Sequence, residues 1–152
     1  MAEGRKVVAS NRRARHNYEI LDTFEAGMVL RGSEVKSLRA GQVQLKDAYA
    51  TLQDGELWLE NAHIAPYSYA TSGGHDPERK RKLLIHRREI DRLTGKVHEQ
   101  GLTLVPLQIY FVHGLAKIEI ALAKGRHTYD KRRKLVERQQ KREMDRAKSH
   151  RR

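Results

Sequence analysis

The sequence predicts a mainly β fold: a small closed barrel of about six short strands with two helices, followed by a basic C-terminal tail. Three observations carry that prediction. Short strand-like segments recur between glycine turns. Helical spacing is confined to two stretches, too few for a βαβ alternation. The last 29 residues, Lys124 to Arg152, hold 13 of the 31 Lys and Arg but 4 of the 19 Asp and Glu, and so carry +9 of the +12 net charge. A run of that kind is an interaction arm, and the nearly balanced remainder is the folded body.

Residues 1–10 are short and polar apart from Val7 and Val8, which predicts a loose N-terminal arm that orders only near the body. From Tyr18 to Leu30, two apolar stretches flank Glu25-Ala26-Gly27, the pattern of two strands meeting at a glycine turn. Ser33 to Arg39 reads as a short helix, capped by the serine hydroxyl and stopped at Gly41. Ala48 to Gln53 and Leu57 to Glu60 are strands joined by Asp54-Gly55, a dipeptide that favours a tight hairpin. His63 to Tyr69 continues as an extended strip, and Thr71 to Pro77 is a loop by composition.

Leu83, Leu84 and Ile85 form a short buried strand or a lead-in to the next helix. Ile90, Leu93 and Val97, spaced by three and four, mark an amphipathic helix from about Arg87 to Gln100. Gly101 ends it. Leu102 to Val112 and Lys117 to Ala123 are then two long strands turning at His113-Gly114. The domain reading is an arm over 1–10, a barrel over 11–123 and a tail over 124–152. The tail's helix-favouring but polar residues predict disorder alone and a helix against a partner.

Composition narrows the function. A chain of 152 residues suits one domain, and about 120 residues outside the tail suffice for a real core. No apolar run approaches the ~20 residues that span a bilayer, and Met1-Ala2-Glu3-Gly4 opens no signal peptide, so a soluble, unexported protein is expected. The absence of cysteine excludes disulfides, cysteine-based zinc sites and thiol catalysis.

His63, His75, His86, His98 and His113 form no His-x-x-x-His pair, and neither a P-loop nor a Gly-x-Gly-x-x-Gly element occurs. No catalytic constellation, metal site or cofactor is therefore expected. The pI near 10.2 instead favours a polyanionic partner, nucleic acid first.

Three basic clusters frame that partner: Arg12-Arg13-Ala14-Arg15-His16, Arg79-Lys80-Arg81-Lys82 and the tail. Cations beside phosphates release condensed counterions and make binding salt dependent. Most aromatics alternate within strands, as core or half-buried residues do. No glycine-rich strand carries the paired aromatics of an RNA-recognition sheet, which points to a folded RNA read by shape and phosphates.

Asn11-Arg-Arg-Ala-Arg-His-Asn-Tyr18, Glu25-Ala-Gly27, Gly32-Ser-Glu-Val-Lys-Ser-Leu-Arg-Ala-Gly41, Arg81-Lys-Leu-Leu-Ile-His86, Ala123-Lys-Gly125 and Tyr129-Asp-Lys-Arg132 occur in this order. Together they resemble the SsrA-binding protein (small protein B) family over nearly the whole chain from Asn11. The resemblance implies an OB-like barrel with short helices in a bacterial cytoplasm. It also implies a non-enzymatic adaptor of trans-translation that binds the tRNA-like domain of transfer-messenger RNA and enters stalled ribosomes with EF-Tu and GTP. The tail would probe the decoding centre and the empty mRNA channel. Repulsion at +12 favours a monomer when no RNA is present.

Carried over by position, Asn11, Glu25, Leu84 and Lys117 fall on RNA-binding positions of the barrel, and Lys124 and Gly125 on its junction with the tail. Tyr129, Asp130, Lys131 and Arg132 fall in the decoding-centre motif. Arg13, Arg81 and Lys82, from the basic clusters, complete the candidate RNA-binding set. Leu84 is equally open to a core role, and Glu25 to contacting RNA or holding a neighbouring arginine. Arg126-His127 stands where relatives often carry lysines. The alternative is an OB-fold ribosomal protein or translation factor with a basic extension.

Overall fold

The computed structural model describes residues 5–67, 74–125, 140–142 and 144. The elements are β1 (Lys6–Ser10), α1 (Ala14–Asn17), β2 (Tyr18–Met28), α2 (Gly32–Arg39), β3 (Val43–Gln44), β4 (Tyr49–Gln53), β5 (Glu56–Glu60), β6 (His63–Ile64), β7 (Arg81–Leu84), α3 (Arg87–Gln100), β8 (Thr103–Val112) and β9 (Leu115–Gly125). The main sheet runs β1-β8-β4-β5-β7-β2-β9, and an added β8–β9 pairing closes β8, β4, β5, β7, β2 and β9 into a ring of six strands. β1 lies along β8, and β3 and β6 form a separate pair. The expectation of a mainly β fold with about six strands closing on themselves is met.

Two tight turns build the long hairpins. Asp54 and Gly55 both have positive φ between β4 and β5, as do His113 and Gly114 between β8 and β9. Such turns match the right-handed twist of paired strands, and glycine at the second position adopts that backbone without a Cβ clash.

The ring interior is filled by Phe24 and Ala26 of β2, Leu57 and Leu59 of β5, Leu83 of β7, Ile109 and Phe111 of β8, and Ile118, Ile120 and Leu122 of β9, with Leu38 and Leu93 closing it from α2 and α3. Each large side chain buried there contributes about 1.5–3 kcal/mol. A second, smaller cluster sits on the outer face, where Ala14 of α1 covers Val105, Leu107, Ala121 and Ala123, with Tyr18 and Ile20 beside them.

One-residue register shifts decide which residues face outward. The β2–β9 ladder skips Leu21, between Ile20 and Asp22, and the β8–β9 ladder skips Leu107, between Pro106 and Gln108. Side chains alternate with period two, so an extra residue reverses the face of everything beyond it. Ile20 therefore packs on the outer cluster while Phe24 and Ala26 enter the core, which leaves Glu25 and Gly27 outside.

Several sequence expectations are corrected. Tyr18 to Met28 is a single strand, not two meeting at Gly27, because Gly27 is paired to Lys117 of β9 and to Leu84 of β7 at the position where β2 changes partner. Residues 6–10 are not a loose arm: they pair with Gln108 to Phe111. The folded body reaches Gly125, since Lys124 and Gly125 pair with Glu19 and Tyr18. Ser33 does not cap α2. The helix begins at Gly32, the Glu34 carboxylate accepts the Arg31 N–H at 2.8 Å, and the Ser33 hydroxyl lies 2.8 Å from His75 Nδ1. The extended strip after His63 keeps regular pairing only over β6, and residues 68–73 lie outside the described residues. A third helix, α1, occupies the first basic cluster.

Candidate nucleic-acid interface

Gly27 of β2 lies opposite Leu84 of β7 on one side and Lys117 of β9 on the other. Glu25, two residues before it, shares its outward face. Glu25, Gly27, Leu84 and Lys117 line one wall of an open groove of about 1020 Å³, and His86 to Glu89, at the start of α3, line the other. Glycine at position 27 leaves the middle of that wall without a side chain. Leu84 is 53% exposed, so the core alternative for it is overturned. Both Arg81 and Leu83 point inward along β7, and Leu84 takes the opposite parity.

The groove is chemically mixed. Among the described residues, Lys117, Arg87 and Arg88 have no ion-pair partner, whereas Glu89 is held by Arg92, which also bonds Asp22 at 3.2 Å. Unpaired cations beside an exposed leucine and an acceptor carboxylate offer phosphate contacts, an apolar surface for a ribose or base, and a group that accepts N–H or O–H donors. The Glu25 carboxylate accepts a hydrogen bond from the hydroxyl of Tyr110 rather than from an arginine. Burial first, and then that bond, push the Tyr110 hydroxyl well above its ordinary value, so it remains a donor.

A second group gathers at the other end of β9. Asn11 donates from Nδ2 to the carbonyls of Pro106 at 3.0 Å and Leu45 at 3.3 Å, and its own N–H donates to Leu107 at 2.7 Å. It thus pins the chain at the β8 register shift, and its amide is engaged within the fold. Arg12, Arg13 and Arg15 flank it in exposed positions, and Lys124 and Gly125 are exposed at the strand end. From Lys117 to Lys124 the strand spans about 23 Å. The candidate residues therefore divide between a groove and a junction.

Arg81 is a correction. Its side chain is fully buried, with Nε 2.6 Å from Glu34 Oε2, Nη1 2.7 Å from the Ala62 carbonyl and Nη2 2.9 Å from that of Pro77. With no exposed surface, the guanidinium cannot reach an RNA. The sequence signal was parity: Arg81 is two residues before core Leu83. Burial would raise the Glu34 carboxyl, but hydrogen bonds from Arg79, the Arg31 backbone and Arg81, with the Arg81 charge, outweigh it and hold Glu34 below the usual range.

Lys82 shares the outward face of Leu84, lies 3.1 Å from Glu56 and does not line the groove. Beside it, Lys80 lies over Trp58 at 4.8 Å and bonds Gln53. Tyr129, Asp130, Lys131 and Arg132 lie outside the described residues. Sequence reasoning missed Arg87, Arg88 and Tyr110. Arg87 and Arg88 open the amphipathic helix, and Tyr110 hides within an apolar strand.

The family model described as SmpB protein matches residues 8–150. The SsrA-binding protein of Salinispora arenicola is 61% identical over 145 residues, covering 95% of this chain and 91% of that protein. That of Frankia casuarinae is 58% identical over 144 residues, with the same coverage. A solved structure described as "tmRNA-SmpB: a journey to the center of the bacterial ribosome" superposes with a TM-score of 0.66 at 58% identity, covering 82% of this chain and 87% of that one. No helix among the described residues is long and apolar enough to cross a membrane. Match length, identity and fold agree, and the chain belongs to the SmpB protein family.

Proposed function

We infer that this protein is the RNA-binding adaptor of trans-translation, which binds the tRNA-like domain of transfer-messenger RNA and delivers it to stalled ribosomes for rescue and nascent-chain tagging. The observation that carries the reading is the groove. Glu25, Leu84 and Lys117 come from three strands far apart in sequence, and register places them on one surface beside Arg87 and Arg88. A folded RNA fits such a surface because cations hold its backbone while one carboxylate and one apolar side chain discriminate what lies between phosphates.

The work is binding rather than catalysis, in the cytoplasm, by a protein that is monomeric without RNA and travels with EF-Tu and GTP. Arg13, Lys124 and Gly125, exposed at the junction with the tail, add to the RNA-binding set. The tail, with Tyr129, Asp130, Lys131 and Arg132 near its start, occupies the decoding centre and the empty mRNA channel. The helical backbone at residues 140–142 and 144 is consistent with a tail that is helical on the ribosome.

The test is binding of the purified protein to the tRNA-like domain, with ordinary tRNA as competitor, across a salt series. Tight binding that survives competitor and moderate salt is expected. Lys117→Ala should weaken it and reduce the magnitude of the log–log salt slope by about 0.7–0.9, one counterion's worth. Equal affinity for both RNAs, collapsing together with salt, would overturn the reading in favour of a ribosomal protein with a basic extension.

A further inference from the structure

We propose that Tyr110 is a positioning residue for RNA recognition: its buried hydroxyl fixes the Glu25 carboxylate in the groove and leaves one oxygen of that carboxylate for the RNA. The inference rests on the groove being the RNA-binding surface, and it adds a residue that makes no contact with RNA itself.

Tyr110 lies in β8 opposite Lys117 of β9, and its hydroxyl reaches past that strand to Glu25 Oε2 on β2. The Leu107 register shift makes this reach available. Ile109 and Phe111 belong to the interior cluster, so Tyr110 between them lies on the outer face with Glu25 and Lys117. Its residue is nonetheless only 2% exposed. The cover comes from the N-terminal segment, where Val7 pairs with Tyr110 and the Arg5 guanidinium lies 3.8 Å from the ring centroid. A ring held under a cation and between strands has little rotational freedom, so its hydroxyl is a fixed donor.

Glu25 needs such a donor. It is exposed on its strand, and its cross-strand partner, Glu119, is a like charge that offers it no donor. Without an anchor, a glutamate there samples several rotamers and loses that freedom on binding. The Tyr110 bond selects one orientation before RNA arrives and engages Oε2. The remaining oxygen, Oε1, accepts only from donors, so the group it admits is a ribose hydroxyl or an exocyclic or ring N–H, and a phosphate oxygen at that point is repelled.

The experiment is a double-mutant cycle on the full chain with the tRNA-like domain: Tyr110→Phe, Glu25→Ala and both together, with urea unfolding of each. Phenylalanine keeps the ring, the Arg5 contact and the packing, and deletes only the hydroxyl. Tyr110→Phe is expected to raise Kd about tenfold, in line with a hydrogen bond to a charged group, with an unchanged salt slope because no phosphate contact is lost. In the Glu25→Ala background the same change should have almost no effect. Two outcomes overturn the proposal alone: Tyr110→Phe leaves Kd unchanged while Glu25→Ala weakens binding, or the two effects multiply independently. If Glu25→Ala itself leaves Kd unchanged, the groove reading fails and the proposal with it.

Discussion

Replacing Glu34 by alanine should cost more stability than any other single change to a polar residue in the described body. Glu34 and Arg81 are both fully buried, and the carboxylate accepts from Arg81 Nε at 2.6 Å, from Arg79 Nη2 at 2.5 Å and from the Arg31 N–H. Alanine leaves the Arg81 charge in the interior with only carbonyl partners. Breaking a buried pair in this way costs about 3–5 kcal/mol, a large share of the ~5–15 kcal/mol that stabilises a domain. With a urea m-value of about 2 kcal/mol/M, the midpoint should fall by about 2 M.

The assay is urea unfolding followed by circular dichroism and by fluorescence of Trp58, the one tryptophan. Arg81→Met leaves Glu34 paired with Arg79, so it should cost less. Glu34→Ala with Arg81→Met removes both charges, and the summed costs of the two singles should exceed that of the double by about 2–3 kcal/mol of coupling. Additivity within about 0.5 kcal/mol, or a Glu34→Ala cost under about 1 kcal/mol, would refute the argument that an uncompensated charge is the cause.

Acid should act through the same carboxylate. The folded-state value of Glu34 lies below its ordinary 4.5, so its contribution is complete above about pH 4.5 and disappears as pH falls through the folded value; Glu34→Gln should flatten that part of the stability–pH profile in acid titrations followed by circular dichroism. Leu83→Ala and Leu84→Ala, adjacent in β7, should separate cleanly. The first should lose about 2–5 kcal/mol by opening a core cavity, and the second should keep its urea midpoint and weaken RNA binding, as measured by filter binding. Truncation after Gly125 should leave affinity for the tRNA-like domain largely intact and abolish tagging in a reconstituted translation assay; a proportional loss of both would contradict the division between body and tail.

Local signals in the sequence were reliable where local physics decides. Asp54-Gly55 and His113-Gly114 form the hairpin turns expected of them, and the spacing of Ile90, Leu93 and Val97 gives a helix over Arg87 to Gln100. Long-range pairing decided the rest. Lys6 to Ser10 is too short and polar to read as a strand, yet β8 offers it an edge. Glu25 and Gly27 read as a turn because glycine usually breaks a strand, whereas here glycine sits where one strand serves two partners. Arg81 read as surface because it stands in a basic run, although its parity with Leu83 places it inside.

The candidate interface depends on the two places where simple alternation fails. Without the skip at Leu21, Phe24 and Glu25 would exchange faces; without the skip at Leu107, Tyr110 would turn into the core and Ile109 out of it. The groove is thus assembled outside a ring whose interior is stabilised independently by aliphatic packing and by the Glu34–Arg81 pair, which lies on the far side of β7 from Leu84. Stability and recognition should therefore be separable. Glu34 variants should shift the urea midpoint with little change in Kd per folded molecule, and Glu25, Leu84 and Lys117 variants should do the reverse, because the register of β2 against β7 and β9 survives the loss of any one outward side chain.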